Sequence, residues 1–372
     1  MTALGVGIIG CGNISTTYLR LAPLFKTFRV RAVADLNIDA ARTRAEEHGV
    51  EARSVDDLLV SDDIDIVVNL TVPTAHFDVT RTILEAGKHV YSEKPFVLST
   101  EEGAQLRALA QTQGLRIGSA PDTFLGGAHQ IARHLIDDGK AGQITSGTAH
   151  IMSRGMEHWH PNPDFFFKPG GGPMLDMGPY YLTNLIQLLG PVARVAALTS
   201  AAFEERMITS PERAGQAIMV ETPTSIHALL EFHSGASVTL STSWDVQAHR
   251  HGHMELYGTQ GSLFLPDPNF FGDPVEWHVP GGKVMILDGE THPLGRPNQD
   301  GRANYRGAGL ADMAAALIDG REHRCALDLS LHVVDVMTSI LRSGEERAFV
   351  KMSTTCTRPA PLNSSHASAL LA

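Results

Sequence analysis

Leu4-Gly5-Val6-Gly7-Ile8-Ile9-Gly10-Cys11-Gly12-Asn13-Ile14-Ser15 stands near the start of the chain. Its first six residues are apolar or glycine with little alternation, as in a parallel strand buried on both faces. They run into Gly10-Cys11-Gly12, and a helical pattern follows to about residue 24. Two glycines permit a tight turn and a close backbone approach to a pyrophosphate, which then lies at the helix N-terminus beside Asn13 and Ile14. Ser15 takes the third glycine position, small enough for helix–strand packing but a departure from the strict fingerprint. Alone, this near-match is weak, because an ordinary strand–turn–helix gives the same string.

The residues downstream supply context. A second strand, residues 30–34, ends at Asp35, twenty residues past Ser15. A carboxylate there accepts both ribose hydroxyls of NAD and repels the 2′-phosphate of NADP. Leu36 and Asn37 follow, with no arginine to receive such a phosphate. NAD is the expected cofactor, ahead of NADP; the other reading of Asp35 is an N-cap for the helix beginning near Asp39. Helices over residues 38–48, 55–60, 76–86 and 100–113 then alternate with strands near Ala52 and over 64–70, 89–92 and 115–119. Repeated βα units with right-handed crossovers predict a doubly wound parallel sheet, a Rossmann domain over residues 1–121.

Ligands of such sheets bind beyond the C-terminal ends of the strands. Lys94 leaves one of those ends, and Pro95 fixes the backbone beside it. By itself Glu93-Lys94-Pro95 fits a solvated ion pair before a turn better. The set Gly10-x-Gly12, Asp35, Pro73-x-x-His76 and Glu93-Lys94-Pro95, in this order and spacing, resembles the glucose–fructose oxidoreductase / inositol dehydrogenase family (Gfo/Idh/MocA). The resemblance implies that Lys94 is catalytic and that Glu93 lies near the nicotinamide ribose. It also implies that the turn over residues 71–76, with Thr71, Pro73 and His76, borders the nicotinamide.

Residues 122–372 read as an α+β domain for substrate and assembly. Asp122 stands at a strand exit, either a substrate contact or a carboxylate at a helix N-terminus. Residues 144–152 open a new sheet and lead to Arg154-Gly155-Met156-Glu157-His158-Trp159-His160. Indoles stack on the C–H faces of sugars, and Arg and His bond hydroxyls. Arg154, His158 and Trp159 are therefore candidate substrate contacts, with plain loop packing as the alternative. The two histidines beside Glu157 lack a third ligand at metal spacing. His249, His251 and His253 alternate as a solvated or subunit-facing stripe, and no metal is expected.

Gly170-Gly171-Gly172-Pro173-Met174-Leu175-Asp176-Met177-Gly178-Pro179-Tyr180 is the second anchor. A helix here places Asp176 and Tyr180 four apart on one face, with Pro179 tolerable in its first turn. The glycine run, Asp-x-Gly and the residue four beyond the Asp again resemble the family. Inositol dehydrogenase-like members usually carry His at that last place, whereas glucose–fructose oxidoreductase-like and dihydrodiol dehydrogenase-like ones use Tyr. A core tyrosine with a satisfied hydroxyl is the other reading of Tyr180. Strand patterns from residue 192 to 265 predict a large, open, mostly antiparallel sheet, which the resemblance assigns to homodimer or homotetramer packing. Residues 266–297 are loop-rich, helices follow over 309–318 and 329–343, and Arg306 falls near the mouth of the site. The Ser- and Ala-rich tail after Pro359 reads as a partly disordered end.

Composition bounds these readings. A chain of 372 residues, 43% hydrophobic and 19% charged, suits a soluble two-domain protein with ample core. Its net charge of −11 argues against nucleic acid as a partner. Cys11, Cys325 and Cys356 make neither a disulfide framework nor a metal motif. No run approaches the roughly 18 apolar residues of a membrane span, no signal-peptide pattern is evident, and a cytoplasmic protein is expected. The expected chemistry is reversible hydride transfer between nicotinamide and a secondary alcohol or ketone of a sugar, sugar derivative or cyclitol. Tyr180 carries the proton, Lys94 lowers the tyrosine's pKa and stabilises an alkoxide, and Asp176 orients them. Two rivals stand beside it: a reductase of a non-sugar diol or imine, with Phe165-Phe166-Phe167 giving an apolar pocket, and a non-catalytic NAD-binding regulator.

Overall fold

The computed structural model describes residues 3–372. Its first half runs β1 (Leu4–Ile9), α1 (Asn13–Leu21), β2 (Phe28–Ala34), α2 (Ile38–His48), β3 (Glu51–Ala52), α3 (Val55–Val60), β4 (Ile66–Asn69), α4 (His76–Glu85), β5 (His89–Ser92), α5 (Thr100–Gln113) and β6 (Ile117–Ser119). All six strands pair in parallel, in the order β3-β2-β1-β4-β5-β6. Chain direction across the sheet reverses between β1 and β4, and a crevice opens there above the strand ends. Val6, Ile8, Ile66, Val67, Val68 and Val90 are buried on both sheet faces, which is why these strands read as continuous apolar runs. Gly10 adopts φ +103°, and a Cβ there would lie 2.6 Å from the Leu70 carbonyl, so only glycine fits where β1 turns past β4.

The second half continues with α6 (Gly127–Asp137), β7 (Ile144–Met152), α7 (Gly172–Leu189), β8 (Val192–Ser200), β9 (Glu205–Met207), β10 (Ala217–Met219), β11 (Ser225–Phe232), β12 (Ser237–Ser243), β13 (Met254–Gly258), β14 (Gly261–Leu265), β15 (Val275–His278), β16 (Val284–Leu287), α8 (Ala308–Asp319), α9 (Leu327–Glu346), β17 (Val350–Lys351) and α10 (Ser364–Leu370). Nine strands form one open sheet, β16-β15-β14-β13-β7-β12-β11-β8-β17. Every pair is antiparallel except β7 with β12. The helices α6, α7 and α9 cover one face of this sheet. The other face is open and carries exposed Leu198 and Leu229. Among the described residues no helix is long and apolar enough to cross a membrane.

The structure corrects three local expectations. Helix α7 begins at Gly172, so Pro179 lies in its interior and not in the first turn. The helix is apolar nearly all round and buried, and that packing outweighs the roughly 3 kcal/mol an interior proline costs. The stretch 266–297 holds two four-residue strands, β15 and β16, which widen the sheet. The tail is ordered: Asn363 caps α10 by accepting the His366 N–H, and Ala367 and Leu370 are buried. The tail then joins the first half, with Lys26 N–H donating to Leu370 O at 3.0 Å and Ala372 N–H to Leu24 O at 2.9 Å.

Candidate active site

The crevice above β1 and β4 is a cavity of about 440 Å³ lined by Gly10, Gly12, Asp35, Leu36, Thr71 and Val72, among others. Asp35 accepts the Cys11 N–H on Oδ2 and the Asn37 N–H on Oδ1, both at 2.8 Å. Each oxygen keeps a second lone pair for a ribose hydroxyl. The N-cap of α2 is Asn37, whose Oδ1 accepts the Asp39 N–H, so that alternative for Asp35 falls away. Asn13 and Ile14 open α1, whose first turn has no side-chain cap, leaving backbone N–H donors for an anion. A Cβ on Gly12 would meet nothing within 4 Å, so the turn is open on that side. Ser15 is fully buried and returns its hydroxyl to Gly12 O at 2.6 Å. No lysine or arginine lines this cavity, and its acidic rim fits NAD better than NADP.

The turn after β4 is organised by a residue that periodicity does not single out. Asn69 is fully buried; its amide donates to His76 O and Thr80 Oγ1, and its Oδ1 accepts the Thr71 N–H and hydroxyl. An amide closing an otherwise apolar strand was the available signal. Pro73 starts a short 3₁₀ turn, residues 73–75, behind the cavity wall. His76 closes this turn from within. It is buried, with Nδ1 at 2.6 Å from Pro95 O and Nε2 at 3.0 Å from Thr71 O, so it ties two loops together and presents no nitrogen to a ligand.

At the end of β5, Glu93 accepts the Tyr18 hydroxyl at 3.0 Å and the Lys94 N–H at 2.9 Å. The Lys94 side chain crosses to α7. Its ammonium donates to the Asp176 carbonyl at 2.6 Å and to Asp176 Oδ1 at 2.9 Å, and lies 5.2 Å from the centre of the Tyr180 ring. Pro179 has no N–H for the Leu175 carbonyl, and the turn it loosens is the one whose next carbonyl, that of Asp176, receives Lys94. Burial is the largest influence and would depress the lysine's pKa, but Asp176, Tyr180 and Glu93 together outweigh it and hold the ammonium above its ordinary value. The lysine covers the face of Tyr180 rather than its oxygen. Burial pushes the phenol's pKa up more than Lys94 and Arg306 pull it down, so Tyr180 is a neutral donor at neutral pH. Lys94 acts in the expected direction, but burial outweighs it.

Residues 4–120 match the oxidoreductase family with an NAD-binding Rossmann fold, and residues 129–264 match the GFO/IDH/MocA C-terminal domain. The chain belongs to the Gfo/Idh/MocA family. It is 30% identical over 270 residues to a dTDP-3,4-didehydro-2,6-dideoxy-alpha-D-glucose 3-reductase of Streptomyces violaceoruber, covering 71% of this chain and 72% of that one. It is 27% identical over 289 residues to an inositol 2-dehydrogenase of Rhizobium meliloti, covering 77% and 80%. The fold is shared with an aldose-aldose oxidoreductase of Caulobacter crescentus at a TM-score of 0.76 and 24% identity, covering 94% of this chain and 100% of that one. As a Gfo/Idh/MocA oxidoreductase, the chain binds NAD and is an NAD-dependent dehydrogenase.

The remaining candidates of this Gfo/Idh/MocA chain lie elsewhere. Asp122 is buried, and its Oδ2 accepts the Gly307 and Gly309 N–H groups at 2.8 and 3.0 Å. It anchors the start of α8 through that oxygen. Arg154, His158 and Trp159 line a separate cavity of about 470 Å³ with Met156, Gln247 and His249, and none of them hydrogen-bonds to Lys94, Asp176 or Tyr180. Their loop is pinned by Arg206, which pairs with Glu157 and Asp245 and lies over Phe167. Phe166 and Phe167 belong to a small core with Ile208, Ile218 and Trp244, so they do not line an apolar substrate pocket. Among the described residues no group of three or more His, Cys, Asp or Glu converges as metal ligands would.

Proposed function

We propose that this dehydrogenase transfers hydride between NAD(H) and a ring secondary alcohol or ketone of a sugar, sugar derivative or cyclitol. The observation that carries the reading is the meeting of Lys94, from the cofactor sheet, with Asp176 and Tyr180, from α7. A nicotinamide held above β1 and β4 would exchange the hydride. Around it, Tyr180 gives its proton to a carbonyl oxygen during reduction and takes one from a hydroxyl during oxidation. Lys94, kept charged by Asp176, stabilises the negative charge that develops on that oxygen. Glu93, held by Tyr18, faces the ribose side. The names of two relatives support a ring carbon as the target, since one is a 3-reductase and the other a 2-dehydrogenase. The proposal includes Arg154, His158 and Trp159 as an outlying sugar-facing loop, residues 1–121 as the cofactor-holding unit and 122–372 as the substrate unit. It also includes a cytoplasmic homodimer or homotetramer packed through the open sheet face.

The test is NADH fluorescence during a screen of cyclitols, aldoses, keto-sugars and simple diols, with wild type and Lys94→Ala in parallel. Turnover with one of the first three classes, falling by about 100-fold or more in the variant while NADH binding persists, supports the reading. Near-normal turnover of Lys94→Ala would falsify it.

A further inference from the structure

Tyr18 stands on α1, the helix that Asn13 and Ile14 open. Its side chain is buried, and its hydroxyl donates to Glu93 Oε1 at 3.0 Å. Glu93 follows β5, which lies two strands from β1 in the sheet order. The phenol therefore reaches from the helix after β1 to the end of a different strand. The other Glu93 oxygen, Oε2, accepts the Lys94 N–H at 2.9 Å. Both carboxylate oxygens are thus held from the protein side, and each retains a lone pair for a ligand.

A phenylalanine would fill this buried place as well as a tyrosine, so the hydroxyl is explained by its partner. A bond from it to a carboxylate is about twice as strong as one between neutral groups. Without the Tyr18 proton, Glu93 Oε1 has no donor among the described residues. The carboxylate would then be fixed through Oε2 alone, by the backbone of the next residue, and its rotamer would be free to change. The same helix meets the cofactor at its N-terminus, where uncapped backbone N–H groups face the crevice and suit a pyrophosphate. One helix of 9 residues thus carries both the anion seat and the clamp on Glu93.

We propose that Tyr18 is a positioning residue: acting through Glu93, it sets the grip on the nicotinamide ribose and registers that grip against the pyrophosphate seat on its own helix. This rests on the reading of Glu93 as facing the ribose side. A phenol suits the place because it spans the gap with a rigid ring and two rotatable bonds. It also stays protonated at alkaline pH, since burial, and after it Glu93, hold its pKa well above the ordinary value.

The affinities of NADH and ADP, measured on the full-length protein by fluorescence titration and by competition, separate the two ends of the cofactor. ADP has the adenosine and the pyrophosphate but no second ribose. Tyr18→Phe should weaken NADH by about tenfold or more, as the loss of a hydrogen bond to a charged group does, and leave ADP unchanged. Glu93→Ala should show the same selective loss, and Tyr18→Phe added to it should cost nothing further, because the two act as one unit. 4-Fluorophenylalanine at position 18 fills the hydroxyl's place without donating, and serves if Tyr18→Phe does not fold. Equal losses for NADH and ADP would make Tyr18 a packing residue of α1 and overturn the proposal. So would a selective loss in Glu93→Ala with none in Tyr18→Phe, which leaves Glu93 on the ribose. No loss in Glu93→Ala takes Glu93 off the ribose and the proposal with it. None of these results depends on which alcohol is oxidised, so the outcome for Lys94→Ala stands apart from them.

Discussion

The carboxyl of Asp122 is pushed up to about 6, because burial disfavours its charge more than the Gly307 and Gly309 N–H groups and Arg306 favour it. Its ordinary value is 3.8. Between these two values the folded protein holds a proton that the unfolded chain has released. Stability therefore falls as pH rises through that window, by about 3 kcal/mol in all, and levels off above it. Asp122→Asn keeps an acceptor for the same two N–H groups and has no charge to bury. Urea denaturation across pH 4 to 7 should show a slope in wild type that the variant loses; equal slopes would count against this account. Tyr180 gives a second pH signature. Since its phenol is held above 10, alcohol oxidation should rise by about tenfold per pH unit up to the highest pH the enzyme tolerates, while ketone reduction stays flat. An oxidation rate that plateaus near pH 7 would rule out a tyrosine base. Lys94, Asp176 and Tyr180 were legible because each belongs to a spaced motif. Asn69 and Tyr18 were not, because their partners lie elsewhere in the fold and leave no period in the chain.

At the scale of elements, α7 shows how one residue shapes a site. Pro179→Ala restores an N–H for the Leu175 carbonyl, should stabilise the helix by up to about 3 kcal/mol and should raise the midpoint of thermal unfolding. The tightened turn competes with Lys94 for the Asp176 carbonyl, so kcat should fall by about tenfold while NADH binding is unchanged. A variant that is more stable and equally active would deny Pro179 any part in the site. The parallel strands were readable because they are buried on both faces, and β7 and β11 because they alternate. By contrast β9 and β10 have three residues each, too few to show a period of two. Tertiary packing alone defines them, through Ile208, just past β9, and Ile218 of β10 in one core with Trp244. The order of the tail escaped for a related reason: two apolar side chains three apart, Ala367 and Leu370, form no pattern until α10 packs on α8 and the turn at residues 293–295.

For the molecule as a whole, the open face of the nine-stranded sheet is where proposed assembly and exposed surface meet. Leu198 and Leu229 are 67% and 54% exposed, diagonal to one another on paired strands β8 and β11. Replacing both with glutamate should shift sedimentation to the monomer without lowering the chain's helix content; an unchanged oligomer would move the interface elsewhere. The docked tail has a different consequence, for recombination. Leu370 and Ala372 bond residues 24 and 26, Thr27 donates to Ala311 O, Ser119 N–H to Cys325 O, and Arg20 pairs with Asp300. A chimera that exchanges residues 1–121 for those of a relative would make one covalent crossover but cut all of these stitches. Grafts that carry residues 300–326 and 362–372 along with the nucleotide-holding half are the ones that should yield folded hybrids.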